Sequence, residues 1–155
     1  MRFQTSFVFF SVLLLFSVEA FACGDSLYRV GKGVSYRVYT APLPGSVLVY
    51  GRSENARHLA EELAQSGHGV HLVDNEFDLA MEMNKGGYDV VIAPYSEHAS
   101  VEANQQGSNA EYIPVALSED EEKIARQSYK RVLVADHAEI KHYLKAIHKS
   151  LTGKA

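Results

Sequence analysis

The sequence predicts an α/β fold: a three-layer, five-stranded parallel sheet, preceded by a short N-terminal β-arm. Three observations predict it. Apolar strand-like runs alternate with segments of helical period from Ser46 onward. The stretch Ser46–Asp74 reads as strand, turn, helix, turn, strand, too compact for anything but parallel strands with the helix packed across them. The run Tyr88-Asp89-Val90-Val91-Ile92-Ala93 is almost continuously apolar, as a strand covered on both faces must be.

Taken in order, residues 1–22 read as a signal peptide. Arg2 supplies the positive start, Phe7–Val18 is apolar apart from Ser11 and Ser17, and Ala20-Phe21-Ala22 is a small-x-small cleavage site. The apolar run is shorter than the ~20 residues a spanning helix needs. Export to the periplasm or beyond is the expectation. Cleavage there would leave Cys23, the one cysteine, at the new N-terminus. That placement resembles a bacterial lipoprotein acceptor and would give lipid anchoring, although Ala20 stands where such signals carry a larger aliphatic residue. The other reading is a plain free thiol. A lone cysteine makes no internal disulfide, so the domain must rely on its core.

Residues 23–45 form the N-terminal arm. Leu27–Val30 and Val34–Thr40 flank Gly31-Lys32-Gly33 and suggest a hairpin, and Ala41-Pro42-Leu43-Pro44-Gly45 is an extended connector. Residues 46–155 form the α/β domain. Its first strand is Val47–Tyr50. Gly51 breaks it and Ser53 caps a helix whose apolar face is Ala56, Leu59, Ala60, Leu63 and Ala64. Gly67 closes that helix, and Val70–Val73 is the second strand. Asn75 caps a helix carrying Phe77, Leu79, Ala80 and Met83, ended by Asn84-Lys85-Gly86-Gly87. After the third strand comes a weak helix over 97–106. Ile113-Pro114-Val115-Ala116-Leu117 is the fourth strand, with a proline that should delay it or leave an amide position unpaired. Ser118 and Glu121 make a capping box. Arg131–Ala135 is the fifth strand, and Asp136 with Glu139 repeats the capping pattern. Ile140, Tyr143, Leu144, Ile147 and Leu151 are the stripe of the last helix, opposite Lys141, Lys145 and Lys149.

Composition excludes several function classes. The 155 residues are 46% hydrophobic and 22% charged with a net charge of −4, so a globular chain is expected and nothing predicts nucleic-acid binding. The histidines lack metal-ligand spacing, there is no His-Glu-x-x-His run or cysteine cluster, and no nucleophile elbow. No metal, no cofactor and no catalytic residue is expected.

Five strands alternating with helices suggest a flavodoxin-like order, 2-1-3-4-5, with any site at the strand ends near strands one and three. At this point the chain resembles the receiver domain of bacterial response regulators. Tyr88–Ala93 is similar to the run before the phosphorylated aspartate, Ile113–Ser118 to the fourth strand and its Ser/Thr switch residue, and Val132–Leu144 to the last strand and helix. The resemblance implies an acidic pair after the first strand to hold Mg²⁺, an acceptor aspartate after the third, and a lysine after the fifth. Here Gly51, Arg52 and Ser53, then Pro94, then Ala135 stand there. Only Ser118 matches. The chain therefore reads as a degenerate receiver that cannot be phosphorylated. The opening strand–helix–strand is also similar to dinucleotide-binding domains, with Asp74 in the place of a ribose-binding acid, but the glycine fingerprint is absent.

Two surfaces remain. Arg52, Ser53, Ser96 and Ser118 should meet at the carboxyl edge of the sheet, where helix N-termini make a reasonable anion or small-ligand site; the plain alternative is that the serines are helix caps. In receivers the face of the fourth and fifth helices with the fifth strand makes contacts. Here it would carry Ile124, Arg126, Tyr129, Lys130, Arg131, Lys141, His142 and Lys145. The first expectation is a non-enzymatic interaction module with a protein partner in the bacterial envelope, and the alternative is the ligand site at Arg52. Membrane contact would come only through Cys23.

Overall fold

The computed structural model describes residues 40–135 and 138–153. The expected leader, Cys23 and the hairpin as far as Tyr39 lie outside them. The elements run β1 (Ser46–Tyr50), α1 (Glu54–Gln65), β2 (Gly69–Val73), α2 (Glu76–Lys85), β3 (Val90–Pro94), a 3₁₀ turn (Tyr95–Glu97), α3 (His98–Asn104), β4 (Glu111–Ala116), α4 (Glu119–Ser128), β5 (Leu133–Val134) and α5 (Ile140–Thr152). The five strands are all parallel, in the order β2-β1-β3-β4-β5, as the alternation predicts.

The central strands bury both faces, so two cores form. On one side α1 and α5 cover Val47, Val49, Val90, Ile92, Ile113 and Val115. On the other, α2 and α3 cover Leu48, Tyr50, Val91, Ala93 and Tyr112. Side chains alternate across a strand, so successive residues of one apolar run feed both cores. A small third cluster joins Ala116, Ala125 and Val132 beneath α4.

Local capping signals hold. Ser53 Oγ accepts from Ala56 N–H, Asn75 Oδ1 from Asp78 N–H, and Ser118 Oγ from Glu121 N–H. The Glu121 carboxylate reaches back one residue further than a capping box requires, to Leu117 N–H at 2.7 Å. The α5 cap differs from expectation. Glu139 is the cap residue, and its N–H donates to His142 Nδ1 at 3.2 Å. Asp136 lies outside the described residues.

Three expectations fail on physical grounds, and a fourth is met in one of its two forms. Ala64 is exposed, because the sheet covers a narrower arc of α1 than its apolar residues span. Phe77 is 74% exposed. It lies two residues, about 200°, around the helix from Leu79. Leu79 and Met83 take the buried side, and Glu82 joins them by bonding Lys85 Nζ and Tyr88 OH. Of the two outcomes expected at Pro114 the second holds: β4 is not delayed but starts earlier, at Glu111, and Pro114 lies within it beside Ala93 with no N–H to pair. The fifth strand shortens to Leu133–Val134.

The connector docks on the turn after α1. Ala41 N–H donates to Ser66 O at 2.7 Å, and Gly45 N–H donates to His68 Nδ1 at 3.2 Å. His68 is buried, and that burial lowers its pKa from the ordinary histidine value. The folded chain keeps this ring neutral, whereas the unfolded chain protonates it near pH ~6.5. Its stabilising contribution is therefore complete above that pH and is lost as pH falls below it, by at most about 1.4 kcal/mol per unit for one proton. Urea midpoints on either side of that pH should show the slope, and His68→Asn, which keeps an acceptor for Gly45, should flatten it. An unchanged slope in the variant would assign the dependence to other groups.

Candidate functional site

The carboxyl edge of the sheet gathers the ends of β1, β2 and β3, and Arg52 is its most constrained cation. Its Nε donates to the Asp74 carbonyl at 2.8 Å, and its guanidinium also bonds the Tyr50 hydroxyl. Burial first and the Glu97 carboxylate second raise the Tyr50 pKa, with Arg52 working against them. Arg52 thus braces the β1 end against the β2 end.

Ser53 and Ser118 are helix caps, as their bonds to Ala56 and Glu121 show, and Ser96 stands exposed on the 3₁₀ turn. The four residues expected to bind an anion therefore comprise two caps, one brace and one exposed hydroxyl. Beside them is a cleft of about 330 Å³ lined by Gly51, Ser53, Arg57, Leu72, Val73, Asp74 and Asp78. Its acids are engaged: Asn75 Nδ2 donates to Asp74 Oδ1 at 3.0 Å and to Asp78 Oδ2 at 2.7 Å. Arg57 pairs with Glu54 at 3.0 Å. The donor set at the β1 and β3 ends does not suit Mg²⁺, which requires oxygen ligands: Gly51 and Arg52 follow β1, and Pro94 ends β3. Among the described residues no group of three or more histidine, cysteine or acidic side chains could hold a metal ion.

A larger groove, of about 430 Å³, lies over β5 between α4 and α5. Val132, Leu133, Val134, Ala138 and Ala146 make its apolar floor. Arg126, Arg131, Lys145 and Lys149 stand on its rim against one acid, Glu122. Arg126 pairs with Glu122 at 2.6 Å. Arg131 bonds the Glu111 carboxylate and donates to the Lys149 carbonyl at 2.8 Å, so it ties the start of β4 to the end of α5. Val132, Ala138 and Ala146 are buried, and Leu133 and Val134 are the half-buried part of the floor.

Of the residues expected on this face, Lys145 lines the groove. Lys130 is exposed, and Lys141 is exposed with its ammonium 2.6 Å from Glu139. Tyr129 turns away toward α3. Its hydroxyl donates to Glu102, and its ring meets Tyr112 edge-on at 5.1 Å and Tyr95 at 6.3 Å. Tyr112 in turn donates to the Pro94 carbonyl at 2.9 Å. Burial raises the pKa of both Tyr112 and Tyr129, so this aromatic cluster is a neutral structural seam between β3, β4 and α3. Sequence reading misses it because its partners are far apart along the chain. The same holds for the apolar groove floor, since Val132–Val134 read as ordinary strand residues.

No family model and no curated protein matches the chain. Among solved structures it is similar to the E. coli RcsC C-terminus containing a linker region and a phosphoreceiver domain, with 19% identity and a TM-score of 0.53. The likeness covers 90% of this chain and 58% of that one, so it spans less than two thirds of the neighbour. The fold is that of a receiver-like α/β domain.

Proposed function

We propose that this chain is an exported, non-catalytic receiver-like module that works by docking a protein in the bacterial envelope, and that it takes no phosphoryl group. The observation that carries the reading is the groove over β5, where half-buried Leu133 and Val134 lie in the floor and the exposed Lys145 and Lys149 stand on the rim. Apolar anchors inside a polar rim are the anatomy of a protein interface. The residues at the opposite edge support the second half. Pro94 offers no carboxylate to phosphorylate, and Arg52 places a cation where a receiver holds its metal. The N-terminal pattern through Ala22 supports export, and Cys23 is then the acceptor for a lipid anchor.

Two results test this. Incubation with a small phosphodonor and Mg²⁺ should leave the intact mass unchanged; an added phosphoryl group that acid-labile chemistry places on a carboxylate would overturn the reading. In envelope fractions, a photo-crosslinker at Lys145 should join the chain to a protein, and one at Ser96 should not. The reverse pattern would move the function to the carboxyl edge.

A further inference from the structure

We infer that the occupant of the β5 groove is a second copy of this chain, which inserts the exposed stripe of its α2. The inference rests on the reading of that groove as a docking surface. Phe77 is 74% exposed and Met81 42% exposed. They are four residues apart on α2, so they stand one above the other as a single apolar ridge. Asp74, Glu76 and Asp78 surround Phe77. The ridge is therefore apolar with an acidic border, and the groove is apolar with a basic one. Each surface supplies the charge that the other lacks.

Their placement decides the kind of assembly. α2 packs on one face of the sheet and follows β2, the strand at one edge. α5 packs on the opposite face, and the groove lies over β5, the strand at the other edge. The groove lies between α4, which packs on the face that α2 covers, and α5, so ridge and groove are at opposite edges of the sheet. A contact between them is heterologous: each copy offers a ridge to one neighbour and a groove to the next. Such contacts make rings or open chains of molecules, never a two-fold dimer. The interface is charge-bordered, so it should weaken as salt is raised.

Sedimentation velocity on the purified chain across a wide range of concentration tests this. The average mass should rise with concentration past that of a dimer, and added salt should lower it. Phe77→Ser removes the ridge, and Lys145→Glu with Lys149→Glu reverses the groove rim. Both change exposed positions, so circular dichroism should report unchanged folding. Each variant alone should associate about tenfold or more weakly than the parent, the loss expected for a central anchor. Mixed, the two variants should form a one-to-one dimer that grows no further, since one keeps only its groove and the other only its ridge. Three outcomes overturn the inference: a parent monomeric at every concentration, a dimer that stops at two and survives Phe77→Ser, or a mixture that stays monomeric. A monomeric parent that still crosslinks to another protein through Lys145 would leave the docking surface standing and remove only the self-assembly.

Discussion

Replacing Leu59 with alanine should destabilise the domain by ~2–5 kcal/mol, a large share of the 5–15 kcal/mol that holds a domain of this kind together. Leu59 is fully buried in the core shared by α1, the sheet and α5. Alanine is the best helix former, so the substitution leaves the helix's own preference intact and isolates the packing loss. That loss has two parts: the transfer of the side chain out of water and the void left behind. β1 beneath it is paired on both sides and cannot collapse into the space. Urea unfolding should show a lower midpoint with an unchanged slope. A variant at the parental midpoint would mean that α1 is not anchored to the sheet through this side chain. Ala64→Ser, five residues further along on the exposed side, should change the stability by less than ~0.5 kcal/mol.

That pair of residues also shows how far sequence carries. Leu59 and Ala64 belong to one apolar pattern in α1, and the pattern establishes the helix and its direction. It does not establish how wide an arc the sheet covers, so Ala64 is placed inside when it lies outside. Caps are legible for the opposite reason. Ser53, Asn75 and Ser118 bond amides three residues away, so the whole interaction lies inside the sequence window. The strand order follows from the alternation, since right-handed crossovers leave few ways to arrange five parallel strands. Phe77 fails because α2 has two apolar stripes, Leu79 with Met83 and Phe77 with Met81, and periodicity alone does not choose between them. The choice is made by Glu82, whose bonds to Lys85 and Tyr88 let a carboxylate occupy the buried side. Tyr129 fails similarly: its partners Glu102 and Tyr112 are on other elements. At the carboxyl edge the residue types were readable, but the bond from Arg52 to the Asp74 carbonyl, which makes it a brace, was not.

Asp89→Ala should give the other large loss, roughly 1.5–3 kcal/mol, the range for a hydrogen bond to a charged group whose removal strands its donor. Asp89 closes the amino edge of the sheet. Its Oδ2 accepts from Ser46 N–H at 2.8 Å, and its own N–H donates to the Ser46 carbonyl at 2.8 Å. Its carbonyl then accepts from Glu111 N–H at 2.9 Å. One residue thus joins the starts of β1, β3 and β4, and two of these bonds use the backbone alone. Alanine keeps those two and deletes the third, leaving the Ser46 amide half-buried with no acceptor side chain. Asparagine keeps a carbonyl oxygen in the same place and loses only the charge, so Asp89→Asn should recover much of the stability. Hydrogen exchange separates this account from a general weakening. The Ser46 amide should be protected in the parent and in Asp89→Asn, and should exchange far faster in Asp89→Ala, while amides deep in β3 follow only the global change. If asparagine is as damaging as alanine, the carboxylate acts through its charge and not as an acceptor for Ser46, and the clasp at this edge is electrostatic in origin.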